Sequence, residues 1–519
     1  MRLPELQKKT TLDKDLNKFV RLEQATAETG QQIVKIGLGV LFLAAVWVIA
    51  TIGYYDTALF PVTENAAFVV GACIIGGYMA LNIGANDVAN NVGPAVGSKA
   101  LTLVGALFIA AIFEAAGALL AGGDVVSTIK GGIIDTAMMP STKTFIRVML
   151  AALLAAALWL NLATYLGAPV STTHSIVGGV MGAGIAAAGL DVVNWSTMGK
   201  IAASWVISPV MGGIIAAAFL AFIKSAIYNT EDMIASAKRW VPILVATMGA
   251  VFSMYLVMKG LKKLWKPDPW VFAAIGGTAF FIFYIVVKPL VARASVQLEK
   301  RRKAVSTLFT IPLICSAALL SFAHGANDVA NAVGPLAAIV DAVSSGDIST
   351  KVGVPFWVML VGALGIGVGL VLFGPKLIRT VGEQITKLDR ARAFCVALSA
   401  AITVIIASTL GLPVSSTHIA VGGVFGIGFL REYLARAQSR AKEKARAAAA
   451  LAESGAAAGN PGSEVSVAWE IRRTKLYKAR DRKLVRRRHL LTIVAAWVVT
   501  VPLAGLLAAI LFYVFDAFA

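Results

Sequence analysis

Charge is scarce in this chain, and so are cysteine and histidine. Only 14% of its 519 residues are Asp, Glu, Lys or Arg, against 58% hydrophobic residues. Soluble domains carry about 25% charged residues, so so little charge excludes an ordinary soluble fold. The three cysteines, Cys73, Cys315 and Cys395, all lie in apolar runs without motif spacing. That excludes a disulfide framework and a thiolate metal site, and leaves small buried side chains. A cleavable signal peptide is excluded as well, because residues 1–34 mix Lys, Arg, Asp and Glu over too long a stretch. The first apolar span is therefore expected to be retained.

What the chain has in abundance is uninterrupted apolar sequence. Thirteen runs long enough to cross a bilayer start near residues 36, 66, 101, 145, 169, 199, 240, 270, 304, 355, 391, 413 and 490. They are continuously apolar rather than alternating, which predicts helices and not a barrel. The expectation is an all-α polytopic membrane protein with about 12–13 spans.

The formal charge of +19 is unevenly distributed, which argues against nucleic acid as a partner. Residues 431–489 hold sixteen Lys or Arg against six Asp or Glu, ending in RRTKLYKARDRKLVRRRH directly before the last span. A basic block abutting a membrane helix marks a cytoplasmic loop, and it can also bind anionic lipid head groups. Alternation then puts 288–303 and 376–392, both basic, in the cytoplasm and the acidic 54–65 outside. The N-terminus comes out cytoplasmic and the C-terminus external, in an arrangement that suits a bacterial inner membrane. The four lysines of 259–269 land outside and fit this scheme poorly.

Two motifs occur twice, in the same order. NIGANDVANNVGPAVG (82–97) matches AHGANDVANAVGPLAA (323–338) at an offset of 241 residues, and APVSTTHSIVGGVMGAG (168–184) matches LPVSSTHIAVGGVFGIG (412–428) at 244. An internal duplication follows. The expected organisation is a tail (1–35), an extra span with its external loop (36–65), a first repeat (66–224), a linking segment (225–303), a second repeat (304–430), a basic insert (431–489) and a final span (490–519). By the topology above the two copies point in opposite directions. Inverted repeats with discontinuous helices are the signature of alternating-access transporters, whose site lies at the repeat interface near the bilayer midplane.

Both motifs place polar groups where lipid would penalise them. Asn86 and Asn90 share a helix face beside Asp87, and Asn327, Asn331 and Asp328 repeat the pattern. The pairs Gly93-Pro94 and Gly334-Pro335 are expected to stop or kink these helices and expose carbonyls. Carboxylate, amide and carbonyl oxygens suit Na+, and the Asp residues can alternatively carry a proton; an intramembrane Asp is functional by default. In the second motif Pro169 and Pro413 precede Ser171, Thr172, Thr173 and Ser415, Ser416, Thr417. A helix starting there aims free N–H groups, hydroxyls and its positive dipole end at one spot, which binds an anion without Arg or Lys. The bland reading of either motif is polar packing between helices; its occurrence in two copies weakens it.

Of the four histidines, His174 and His418 follow the hydroxyl runs and are candidates to orient them or to move protons. His324 has no counterpart, since Ile83 takes that place, so a metal pair of His324 with Asp328 has little support. Glu114 is a further buried carboxylate, either on the ion path or supporting the Asp87 helix. A hydrolase built on Ser171 and His174 fails, because neighbours on one helix start do not supply nucleophile, base and orienting acid. No enzyme activity and no cofactor are expected.

The paired GANDVAN and PVS(T/S)TH motifs resemble those of the inorganic phosphate transporter (PiT) family, over roughly residues 60–430 and the final span. The resemblance implies an inverted-repeat carrier of phosphate in symport with Na+ or H+. It implies phosphate at Ser171 to Thr173 and Ser415 to Thr417, and the cation at Asp87, Asp328 and the neighbouring asparagines. The N-terminal extra span and the basic insert depart from shorter members. A carrier of another tetrahedral oxyanion, above all sulfate, is the nearest alternative, and an anion channel the alternative from another class. A channel would show a continuous polar lining, whereas polarity here is confined to two paired sites. A homodimer is compatible with all of these.

Overall fold

The computed structural model describes residues 11–55, 66–166, 170–260, 268–348, 353–380, 388–456 and 487–518. Among them regular structure is helical, apart from one isolated bridge between Ile134 and Val193. α1 (Thr11–Tyr55) carries the N-terminal span. α2 (Ala66–Asn86) and α3 (Val88–Gly97) hold the first GANDVAN copy, followed by α4 (Leu103–Ala121), α5 (Gly123–Gly131), α6 (Thr142–Leu166), α7 (Thr172–Ala188) and α8 (Trp195–Ile223). α9 (Met233–Gly260) and α10 (Pro269–Ala294) lead to the short α11 (Arg302–Val305). The second half comprises α12 (Thr310–Ser345), α13 (Phe356–Thr380), α14 (Arg390–Thr409), α15 (Ser416–Ala456) and α16 (Arg487–Ala517).

Eleven helices among the described residues are long and apolar enough to span a membrane. Their outer faces expose Phe108, Ile207, Phe281 and Ile285, large apolar groups that water would penalise and lipid would not. The chain is an integral membrane protein. The runs expected to cross from 169 and 413 are not among the eleven. α7 has 17 residues, which at 1.5 Å per residue falls short of a roughly 30 Å core. In α15 the apolar stretch ends at Leu430, before Arg431 and Glu432. Pro169 and residues 261–267, on which two of the expectations above rest, lie outside the described residues.

α12 is the centre of the molecule. From Ser316 to Val343 every residue is buried, because α2, α4, α5, α6 and α14 surround it. This is how a helix carrying His324, Asn327, Asp328 and Asn331 avoids lipid. A buried ion pair, Lys130 Nζ to Asp341 Oδ2 at 2.9 Å, ties α5 to its far end.

The two halves make the same contacts with roles exchanged. α2 packs on α13 of the other half, as α12 packs on α4. A Cβ on Gly84 would meet Ile366 O at 2.0 Å, and one on the matching Gly325 would meet Glu114 O at 2.1 Å. Likewise α7 lies against α16 at Gly178 and Val501, and α15 against α8 at Gly422 and Pro209. These glycines let backbones approach where lipid supplies no hydrophobic drive, as expected for close packing between membrane helices.

Besides the two spans, one further expectation needs correction. The Gly-Pro pairs do not stop their helices: α3 runs through Pro94 to Gly97, and α12 through Pro335 to Ser345. Surrounding helices hold the rods together, as membrane proteins do around proline. The proline still lacks an N–H for the carbonyl four residues earlier. Those carbonyls belong to Asn90 and Asn331, the motif asparagines.

Candidate functional site

The first GANDVAN copy and the second hydroxyl run meet. Thr417 Oγ1 donates to Asp87 Oδ1 at 3.0 Å and accepts from Asn90 Nδ2 at 2.8 Å. The exchanged contact is also present: Asn331 Nδ2 lies 3.2 Å from both Thr172 Oγ1 and Thr173 Oγ1. Within the second half, Ser416 Oγ donates to Asp328 Oδ2 at 3.3 Å. Each motif of one half is thus completed by the helix start of the other.

The hydroxyl runs do not act as uniform triplets. Ser171 caps α7, its Oγ accepting from His174 N at 3.1 Å, and Ser415 Oγ accepts from His418 N at 3.3 Å. These serines satisfy their own helix starts. Beyond the caps, Thr172, Thr173 and Thr417 face the other half, while Ser416 faces Asp328 of its own. The two starts touch, since Thr173 Oγ1 donates to Val414 O at 3.0 Å.

His174 and His418 lie behind the starts with ring centroids 4.6 Å apart. His174 Nδ1 is 2.7 Å from Ser171 Oγ, and its ring stacks on Trp205 at 3.7 Å. Trp205 Nε1 in turn donates to Pro413 O at 3.2 Å. The histidines and Trp205 therefore clamp the geometry of the two helix starts.

Asn86 and Asn327 turn instead to the C-terminal ends of α6 and α14. Asn86 Nδ2 donates to Thr164 Oγ1 at 3.0 Å, and Asn327 Nδ2 to Ser408 Oγ at 2.9 Å. Asn327 also accepts from Val414 N at 3.3 Å. Thr164 and Ser408 are hydrogen-bonding neighbours of the motif asparagines that the two motifs alone do not reveal. A signal existed, because they repeat at the same 244-residue offset as the hydroxyl runs.

His324 is better placed than its lack of a counterpart suggested. Its Nε2 lies 2.8 Å from Asp328 Oδ2, one helical turn away, and its Nδ1 lies 3.1 Å from Glu114 Oε1. Glu114 also accepts from Asn91 Nδ2 at 2.8 Å, so it both supports the Asp87 helix and ends a carboxylate–imidazole–carboxylate chain. Asn91 has no equivalent in the second half, where Ala332 stands.

Asp87, His324 and Asp328 present ligand atoms within 4.8 Å of one another, all buried. Both aspartates are 1% exposed, and no Lys or Arg pairs with either among the described residues. Two ionised carboxylates so close and so dry repel each other unless a cation or a proton joins them. Asp328 Oδ1 and Asn331 Oδ1 are buried oxygens without a donor among the described residues. With His324 Nε2 beside them, these carboxylate and amide oxygens form an acceptor-rich corner that fits a hard cation.

Known proteins share this chain's sequence over most of its length. Residues 83–508 match the sequence model of the Phosphate transporter family. A protein of Helicobacter pylori strain J99 named "Putative phosphate permease" is 46% identical over 96% of this chain and 98% of its own length. A similarly named protein of Pyrococcus abyssi is 36% identical over 85% of this chain and 96% of its own length. Among solved structures, "The sodium-dependent phosphate transporter" superposes with a TM-score of 0.74 at 34% identity, covering 87% of this chain and 100% of that one. The chain belongs to the phosphate transporter family, a family of transporters and not of enzymes.

Proposed function

We propose that the protein imports inorganic phosphate in symport with Na+ by alternating access between two inverted halves, with the N-terminus cytoplasmic and the C-terminus external in a bacterial inner membrane. One observation carries the reading: Asp87 and Asp328, one from each half, are buried in a single cluster with His324, and no Lys or Arg pairs with either among the described residues. At an effective dielectric of about 20, two unit charges ~4 Å apart repel by about 4 kcal/mol, roughly three orders of magnitude in affinity. An oxyanion therefore binds beside these carboxylates only after a cation has neutralised them. That dependence is the coupling: the cation pays for the anion's entry, and neither is favoured alone.

In this mechanism Na+ is held by Asp87, Asp328, the Asn90 and Asn331 groups and the carbonyls that proline frees. Phosphate is held by Thr172, Thr173, Ser416, Thr417 and the free N–H groups of the α7 and α15 starts. Ser171, Ser415, His174 and His418 position those starts. Asp328 Oδ1 favours hydrogen phosphate over sulfate, since phosphate brings a proton to donate and sulfate brings none. The sodium-dependent structural relative supports Na+ as the driving ion.

Proton coupling is a second reading, favoured by the Glu114–His324–Asp328 chain alone. The test is uptake of radiolabelled phosphate into proteoliposomes, with Na+ and pH gradients imposed separately and sulfate as competitor. Uptake driven by Na+ without a pH gradient supports symport with Na+. Uptake driven only by a pH gradient and lost in Glu114→Gln moves the reading to H+, and uptake that never exceeds equilibrium removes both.

A further inference from the structure

A cavity of about 1150 Å³ opens between helix ends of both halves, away from the Asp87–Asp328 cluster. It is formed by the end of α3, the π-turn Lys224–Tyr228 after α8, the segment entering α12, the start of α14, and Arg431 of α15. α3 has 10 residues, so at 1.5 Å per residue its far end lies about 15 Å along its axis from Asp87.

Its lining is strongly one-signed. Among the described lining residues seven are Lys or Arg, and Asp389 is the only carboxylate. That carboxylate is already engaged by Arg392, which reaches Asp389 Oδ2 through Nε at 2.8 Å and donates its backbone N–H to Oδ1 at 2.9 Å. Arg390 gives its two terminal nitrogens to Thr310 Oγ1 and Lys99 O, both at 2.8 Å. Lys224, Lys303 and Arg431 have no carboxylate partner among the described residues. Gathering cations without counter-charge costs energy through mutual repulsion, so an anion relieves the cavity when it enters. Ser306 and Thr307 add hydroxyl donors.

The backbone supplies a second observation. Lys99 sits at φ +59°, the one described non-glycine residue in the left-handed region. It closes α3, its N–H bonding Val96 O at 2.9 Å, at a position where glycine is normally preferred. Lysine stands there against its conformational preference, and it contributes charge to the cavity.

Three basic segments also converge here: Arg302 and Lys303, Arg390 and Arg392, and Arg431. By the positive-inside rule that face is cytoplasmic. We propose that this basic cavity is a second binding site for a phosphate group, separate from the central cluster. Two sources share that chemistry: orthophosphate at the cytoplasmic mouth, and the phosphodiester of an anionic lipid.

The test uses the purified full-length protein, with Lys303→Gln/Arg431→Gln as the charge variant and Lys99→Gly as a variant that relieves the backbone. In one arm, equilibrium binding of radiolabelled orthophosphate is measured in detergent, in a Thr417→Val background that weakens the central site. In the other, native mass spectrometry follows phosphatidylglycerol retained from nanodiscs made with or without that lipid. Each lost charge near a membrane surface is expected to weaken binding about fivefold, so the double variant should lose roughly thirtyfold for whichever probe occupies the cavity. Lys99→Gly should also weaken it while keeping or raising the melting temperature, which separates lost charge from lost fold. Loss for orthophosphate alone assigns a substrate mouth, and loss for phosphatidylglycerol alone a lipid site. If both folded charge variants hold both probes as tightly as the unaltered chain, the proposal is wrong.

Discussion

Thr417 Oγ1 lies 3.0 Å from Asp87 Oδ1, although the two residues are 330 positions apart in the chain. Because one hydroxyl joins the Asp of the first half to the helix start of the second, any change in how the halves meet alters the surroundings of both proposed sites, for cation and anion, at once. This is the structural basis on which coupling can be tested.

Thr417→Val keeps the side-chain shape and removes the hydroxyl that links Asp87 to Asn90. Hydrogen bonds to charged groups contribute about 1.5–3 kcal/mol, so kcat/KM for phosphate uptake should fall about 10- to 100-fold. The apparent KM for Na+ should rise in parallel. A variant that changes neither would dissociate Thr417 from the site.

Neutralising both carboxylates should separate binding from pumping. In Asp87→Asn/Asp328→Asn the repulsion of the anion disappears, so equilibrium phosphate binding should become independent of Na+ while uptake against a gradient is lost. Equilibrium binding with and without Na+ checks this. Persistent Na+ dependence in the double variant would place the coupling ion elsewhere.

Gly84→Ala and Gly325→Ala place a methyl group about 2 Å from a backbone carbonyl of the facing helix. Neither carbonyl can rotate away, so each should cost about 1–3 kcal/mol and lower the melting temperature in detergent by a few degrees. Gly367 has nothing within 4 Å of the same added atom. Gly367→Ala should therefore leave the melting temperature unchanged, and a similar drop there would remove the packing explanation.

The buried pair Lys130–Asp341 should show strong coupling between its two residues. Lys130→Met removes this cation from the buried Asp341 carboxylate and should destabilise by about 3–5 kcal/mol, and Asp341→Leu breaks the same bond from the other side. The double variant should recover most of that loss. Additive losses in a double-mutant cycle would mean that the two charges act independently.

How much was legible in the sequence follows from these cases. Asp87 and Asp328 stood out because a carboxylate in an apolar run is costly wherever the helix goes. The Ser/Thr runs stood out because they are doubled at a fixed offset. Ser171 and Ser415 looked equivalent to their neighbours, yet helix capping claims them, and capping depends on where the helix begins. Glu114 and His324 carried no repeat signal, and the contact between them crosses from α4 to α12.

The sequence by itself determined that the chain lives in a membrane, that it is duplicated, and which polar groups must be hidden, since transfer energies act residue by residue. Tertiary structure alone decided that each motif is completed by the opposite half, that His324 bridges two carboxylates, and that three distant basic segments share one cavity. Such pairings depend on which helix faces approach closely enough for backbones to touch, and glycine-lined contacts between sequence-distant helices settle that only once the whole bundle has packed.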